Sequence, residues 1–158
     1  MDLFARAGCR YSPDIIKDHR IIMGTEIHIL GSLLAFGSYF FIGIAMVLFF
    51  LFVYTHITPH DEWRLIKENN IAASLAFSGS LLGYIIPLSS AAINSVSIPD
   101  YLIWGFIALV VQLMVYGGVR LYMPNLSDKI INGNTAAGVF MGAAALAGGI
   151  FNAACMTW

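Results

Sequence analysis

Apolar residues fill this chain in four long blocks, separated by three short polar stretches. The first block runs from about Ile29 to Tyr54 without a charge, the second from Ile71 to about Ile93. The third runs from Tyr101 to about Val119 and the fourth from Thr135 to Trp158. About 20 apolar residues in a helix cross the ~30 Å of a bilayer's hydrocarbon, so each block predicts a transmembrane helix. The blocks are continuous rather than alternating, which excludes a β-barrel. No small-residue cleavage site follows a short apolar core, so the first block reads as a span and not as a signal peptide. Tyr54, Trp63, Tyr101, Trp104, Tyr122 and Trp158 gather at the predicted span ends, where a membrane interface favours such rings.

The polar stretches and their flanks nearly repeat. Asn70-Ile71-Ala72-Ala73 returns 64 residues later as Asn134-Thr135-Ala136-Ala137. At the same offset Ile66 meets Ile130, Leu82 meets Leu146, Ile86 meets Ile150, Phe40 meets Trp104 and Val47 meets Val111. A period this long means two copies of one supersecondary unit: a membrane helix, a polar connector and a second membrane helix. A helix pair brings the chain back to its starting side, so the two copies share one orientation, related by an axis along the membrane normal. The predicted fold is therefore an all-α membrane protein of four transmembrane helices, arranged as two tandem parallel helix-pair repeats. Repeat one covers about 29–93 and repeat two about 101–158, within a four-span membrane domain of 25–158. Residues 1–24 form an N-terminal extension with no counterpart in the second half.

Small residues predict the packing. On the second span Ala73, Ala76, Ser80, Gly83 and Pro87 recur at steps of three and four, one helical face. On the fourth, Gly138, Gly142, Ala145 and Gly149 do the same; Gly79 with Gly83, and Gly138 with Gly142, form GxxxG pairs. Lipid offers no hydrophobic drive for helix pairing, so close backbone approach supplies the attraction. The second and fourth spans are thus expected as the inner pair. The bulkier first and third flank them and face lipid or neighbouring subunits.

In the first connector, Thr58 reads as a helix N-cap, Pro59 as the first helical residue, and Asp61 and Glu62 as acids at the positive end of the dipole. That predicts one helix from Pro59 through Ile93. It would overhang the membrane by about 20 Å at 1.5 Å per residue, with Trp63, Ile66 and Asn70 on one face and Glu62, Lys67 and Glu68 elsewhere. Glu62, Trp63, Arg64 and Lys67 are the candidate partner-docking residues. The second connector repeats the plan, with Asn125 or Ser127 capping and Asp128 in the first turn.

Composition agrees with the pattern. Apolar residues make up 59% and charged ones 11%, against roughly 45–50% and 25% in soluble domains, and the mean hydropathy is +0.79. A net charge of −1 with no basic stripe gives no reason to expect nucleic acid. The first and third connectors carry Arg64, Lys67, Arg120 and Lys129; the N-terminal tail carries Arg6, Arg10, Lys17 and Arg20. The positive-inside rule ties, four against four. A start at Met23 would remove the tail's four, and on that ground the connectors are placed in the cytoplasm and both termini outside.

Candidate chemistry is sparse. Asn70 and Asn134 occupy equivalent places just inside the membrane, Gln112 sits near the middle of the third span facing inward with Gly105, Ala108 and Tyr116, and Asn152 lies near the end of the fourth. Amides in hydrocarbon must be hydrogen-bonded, so these four form either a polar packing seam or a polar path. His56 and His60 beside Asp61 and Glu62 have the composition of a metal site, but Thr58-Pro59 breaks the helix between them. Cys9 and Cys155 fit no metal or redox spacing. No nucleophile–base pair or phosphate loop occurs. No catalytic residue, metal or cofactor is expected.

Several stretches resemble the domain-of-unknown-function 350 family, the YjfL-like bacterial inner-membrane proteins (UPF0719 type). They are Thr58 to Glu62, Leu65 to Ala73, Gly79 to Pro87, Trp104 to Gln112, Gly133-Asn134 with Ala136-Ala137, and Asn152 to Thr157. The resemblance covers about residues 25–158 and implies four spans in a bacterial inner membrane. It brings no settled activity and no catalytic residues. Some relatives are linked to membrane-stress proteins and polyamine-modifying enzymes, which implies an anchor for partners. The functional expectation is a non-enzymatic membrane anchor or accessory subunit of a larger or oligomeric membrane complex. Its partners would be the lipid bilayer, other membrane or cytoplasmic proteins, and further copies of itself. The alternative is an oligomeric channel or small-solute transporter whose path the repeat asparagines line.

Overall fold

A computed structural model describes residues 13–58 and 61–156, with side chains from Ile29 onward. The expected extension's first twelve residues, Pro59, His60 and Trp158 lie outside the described residues. Six helices are described: α1 (Pro13–Ile57), α2 (Glu62–Lys67), α3 (Ile71–Asn94), α4 (Ile98–Tyr122), α5 (Leu126–Ile131) and α6 (Thr135–Ala154). Four are long and apolar enough to cross a membrane, over Ile29–Ile57, Ile71–Asn94, Ile98–Tyr122 and Thr135–Ala154. The chain forms two compact units, residues 1–38 and 39–158. In the first, Ile29, Leu30, Leu33, Leu34 and Phe36 are all exposed, as a lipid-facing helix requires. The helix bundle belongs to the second.

The centre of the bundle is the pair α3 and α6, brought together by absent side chains. A Cβ on Gly79 would strike the backbone of Gly142; one on Gly83 would strike Ala145, one on Gly138 would strike Ala72, and one on Gly149 would strike Gly83. Backbones this close gain van der Waals contact along the whole seam, which is how helices associate where the solvent is as apolar as leucine. Pro87, buried in α3, has no N–H to offer the Gly83 carbonyl four residues back. That carbonyl lies against Gly149 of α6 instead.

The flanking helices bury narrow stripes. Residues 39–57 of α1, with Thr58, contribute Met46, Phe50, Tyr54 and Thr58, spaced by four, and leave Phe40, Phe41, Phe49 and Phe52 exposed. Phe50 stacks on Tyr84 of α3 with centroids 4.4 Å apart. The buried face of α4 is Tyr101, Gly105, Ala108, Leu109, Gln112, Tyr116 and Val119. The aromatic expectation holds only in part. Tyr122 is 78% exposed at a span end, whereas Tyr54 and Tyr101 are each 3% exposed and belong to the core. Tyr54 finds a hydroxyl partner inside, so its ring need not sit at the interface.

The single helix expected from Pro59 to Ile93 is corrected to two. α2 stops after Lys67 because Asn69 adopts a left-handed backbone, φ 62°, a conformation asparagine tolerates. The Asn69 N–H then bonds the Ile66 carbonyl at 3.1 Å and the Asn70 N–H bonds the Leu65 carbonyl at 2.9 Å. This pair of bonds is the Schellman stop. Asn70 at once caps α3, its side chain accepting from the Ala73 N–H at 3.0 Å. The N-cap of α2 is Asp61, which accepts from the Arg64 N–H at 3.2 Å; Thr58 instead donates back to the Tyr54 carbonyl at 3.0 Å. The long overhang is therefore absent, and the connector folds onto the end of the bundle.

Candidate functional site

Five polar residues are buried in the described bundle: Thr58, Glu62, Ser80, Gln112 and Asn152. They occur at three depths. Thr58 and Glu62 lie at the connector end. Ser80 is nine residues into α3, about 14 Å along it at 1.5 Å per residue. Asn152 stands near the far end of α6.

At the middle depth a hydrogen-bonded group joins four helices. Ser80 Oγ and Tyr54 Oη lie 3.0 Å apart, linking α3 to α1, and Ser80 also bonds back to the Ala76 carbonyl at 2.9 Å. From α4, Gln112 Nε2 donates to the Ser80 carbonyl at 3.3 Å and to the Ala145 carbonyl at 3.4 Å. Gly83 makes this possible: a Cβ there would come within 2.6 Å of Gln112 Nε2. Gln112 thus ties α4 to both members of the central pair.

At the connector end, Glu62 opens α2 and is 2% exposed. At the same end of the bundle the rings of Tyr54 and Tyr116 meet edge-on at 5.7 Å. Burial pushes the Glu62 carboxyl above the usual glutamate range. The Thr58 hydroxyl and the residue's own backbone N–H pull it back, and the neighbouring Asp61 charge raises it further. The expectation that Glu62 is a docking residue is corrected: the side chain turns inward, because the short α2 lies against the bundle rather than projecting from it. The other three stay outside. Trp63 is 50% exposed, edge-on to Phe77 at 5.2 Å, and Arg64 and Lys67 are exposed, with Arg64 paired to Glu68 at 3.5 Å.

Asn70 and Asn134 are the N-caps of α3 and α6. Asn70 Nδ2 donates to the Ile130 and Ile131 carbonyls at 2.9 and 3.1 Å, binding the start of α3 to the end of α5. With two carbonyls on one side and an N–H on the other, the amide's orientation follows from its partners. Asn134 accepts from the Ala137 N–H at 3.1 Å, is exposed, and makes no matching cross-helix bond among the described residues. Between these turns lies an open groove of about 420 Å³, lined by Glu68, Asn70, Asn132 and Thr135 among others. Ala73, Gly79, Gly83, Gly138, Gly142 and Gly149 are all buried.

The bundle carries four spans, two connector helices and an amide-capped turn after each. The DUF350 family, Domain of Unknown Function, matches residues 28–156. The chain belongs to the DUF350 family. It is 78% identical over 132 residues to the UPF0719 inner membrane protein YjfL of Escherichia coli strain K12, and equally to that of Escherichia coli O157:H7. Each match covers 84% of this chain and all of the relative. No solved structure matches. With its four spans, this family member is a multi-pass membrane protein of the inner-membrane kind its relatives' names describe. Glu62 is the residue whose burial sequence reasoning missed. The signal was present in Asn69-Asn70, an asparagine pair that suits a left-handed stop followed by an N-cap.

Proposed function

We propose that this DUF350 protein is a non-enzymatic membrane scaffold, anchoring partner proteins at its connector face as an accessory or self-associating subunit, and that it is built as two tandem parallel helix-pair repeats. The repeat reading is supported at the offset of 64. α5 follows α2 and α6 follows α3 at that spacing, residue for residue at their starts. Gly133, φ 74°, stands where Asn69 does, and the Asn134 N–H bonds the Lys129 carbonyl as Asn70 bonds Leu65. In this reading both connectors face one side, the cytoplasm, which puts Arg64, Lys67, Arg120 and Lys129 there.

The observation that carries the scaffold reading is how the polar side chains are used. Gln112 spends its donors on the carbonyls of α3 and α6, and Asn70 on those of α5. They tighten a packed seam, whereas a solute path needs such groups turned toward a cavity. Exposed Trp63, Arg64 and Lys67 on α2 remain as the docking surface. A photo-reactive residue placed at 63 or 67 in intact cells should give discrete adducts, and one at Leu102, on the lipid-facing side of α4, should give none. An adduct of twice the chain's mass identifies a second copy. Absence of adducts at 63 and 67, together with solute flux in reconstituted liposomes that Gln112→Leu abolishes, would reverse the reading in favour of a channel or transporter.

A further inference from the structure

The groove between the connector turns holds polar groups that the packing of the bundle does not use. Its volume of about 420 Å³ falls within the roughly 300–1,000 Å³ of small-molecule sites. Two turns wall it, one from residues 65–71 and one from 131–135. Asn70 ties the walls together, its Nδ2 donating to the Ile130 and Ile131 carbonyls at 2.9 and 3.1 Å. The walls correspond at the offset of 64 but differ in chemistry. Glu68 on one answers to Asn132 on the other, Asn69 to Gly133 and Ile71 to Thr135.

Three of these side chains are uncommitted. Asn69, Asn132 and Thr135 are exposed to the groove and make no side-chain hydrogen bond among the described residues. Glu68 lies 3.5 Å from Arg64, with both side chains more than half exposed. Such a surface pair is weak, so the carboxylate is open to a competing cation. Among the described residues no Lys, Arg or His lines the groove. A purely anionic ligand therefore finds no cation there. An ammonium finds the Glu68 carboxylate and the amide oxygens, and a phosphodiester finds the amide N–H groups and the Thr135 hydroxyl.

The groove's position selects the kind of molecule. Ile71 and Thr135 are the first residues of two of the candidate spans, which puts the groove at the headgroup level of a bilayer that those helices cross. Ile71 is exposed at its edge, and Leu75 and Leu82 continue the same exposed face of α3. Val139, one turn below Thr135, is exposed on α6. An acyl chain can follow these apolar tracks out of the groove, whereas a soluble ligand has no use for them.

We propose that this groove binds a phospholipid headgroup carrying a primary ammonium, an ethanolamine phosphodiester, with the ammonium at Glu68 and the phosphate at Asn132 and Thr135. Its acyl chains lie along the faces of α3 and α6 that begin at Ile71 and Thr135. The primary ammonium matters because its three N–H donors match carboxylate and amide oxygens; a trimethylammonium has none. The site depends neither on the scaffold reading nor on the side the connectors face.

The test is native mass spectrometry of the full chain in mild detergent. The chain is titrated with phosphatidylethanolamine, phosphatidylcholine and phosphatidylglycerol of matched acyl chains, and with soluble glycerophosphoethanolamine. Phosphatidylethanolamine should fill one saturable site roughly tenfold more tightly than either other lipid, the difference that one charge-assisted hydrogen bond supplies. Glu68→Gln should erase the preference over phosphatidylcholine. Arg64→Gln, which removes the ion pair and keeps the carboxylate, should preserve or sharpen it. Thr135→Val should weaken the ethanolamine and choline lipids alike, since both carry the phosphodiester. Equal binding of the three lipids, the behaviour of annular lipid, would overturn the proposal. So would tightest binding of phosphatidylglycerol, or a preference that survives Glu68→Gln. Glycerophosphoethanolamine that competes as well as the lipid would overturn it too, by showing that the acyl tracks contribute nothing.

Discussion

At the scale of residues, two asparagines 64 positions apart, each followed by an Ala-Ala two residues on, do unequal work. Asn70 caps α3 through Oδ1 and bonds two carbonyls at the end of α5 through Nδ2, whereas Asn134 caps α6 and does no more among the described residues. Loss of an N-cap costs roughly 1 kcal/mol, and an interhelical side-chain bond in a membrane protein averages about 0.6 kcal/mol. Asn70→Ala should therefore lower stability by about 1 kcal/mol more than Asn134→Ala, read as the difference in unfolding midpoint of the purified chain. The double variant should deviate from additivity, because Asn70 grips the same last turn of α5 that Asn134 closes through its backbone bond to Lys129. Equal single losses would mean that the two bonds to Ile130 and Ile131 carry no weight. The two asparagines were legible in the sequence as an equivalent pair but not as caps, since the expected helix ran straight through Asn70. Their inequality was not, since it depends on where α5 ends in space and not on the spacing of residues.

At the scale of elements, the seam between α3 and α6 was readable in advance and the connector was not. A stripe of Gly and Ala at helical spacing has one physical use in hydrocarbon, which is close backbone approach, and Gly79, Gly83, Gly138, Gly142 and Gly149 all lie in that seam. Thr58-Pro59-His60-Asp61 offered several N-cap choices, and an uninterrupted apolar run behind them made a long helix look natural. Asn69, whose left-handed φ ends α2, outweighed the helical propensity of its neighbours. Because α2 then folds back, Glu62 enters the interior, a consequence no periodicity within one helix could reveal. The seam makes a sharp prediction. Gly79→Leu forces a branched side chain into the backbone of Gly142 and should abolish recovery of folded protein. Gly117→Leu on α4, where a Cβ would meet nothing within 4 Å, should leave yield and melting temperature nearly unchanged. Both are measured by size-exclusion profile and thermal melt in one detergent; a Gly79→Leu chain that elutes and melts as the parent does would show that α3 and α6 are not in backbone contact.

At the scale of the whole molecule, the four candidate spans follow from the sequence, and the basic residues do not choose the side on which the connectors lie. Four spans are set by four apolar blocks long enough for hydrocarbon, whose helices run 20 residues or more. Orientation by basic residues ties, because the tail's Arg6, Arg10, Lys17 and Arg20 balance Arg64, Lys67, Arg120 and Lys129. Span parity adds a constraint that charge counting lacks: two spans, α3 and α4, separate the connectors, and if both cross, α2 and α5 fall on one side, whichever it is. Single cysteines can read this in cells, in a background with Cys9 and Cys155 replaced by serine. Cysteine at Lys67 and cysteine at Lys129, both in connectors, should respond alike to a membrane-impermeant maleimide, unreactive in intact spheroplasts and labelled after permeabilisation. Cysteine at Val96, 92% exposed in the turn between α3 and α4, should label at once. Opposite responses at 67 and 129 would mean that α3 or α4 does not cross, and the shared offset of 64 would not describe one orientation. Matching responses with the sides exchanged would keep the repeat and reverse the topology, placing the connectors and their Arg64, Lys67, Arg120 and Lys129 on the periplasmic face.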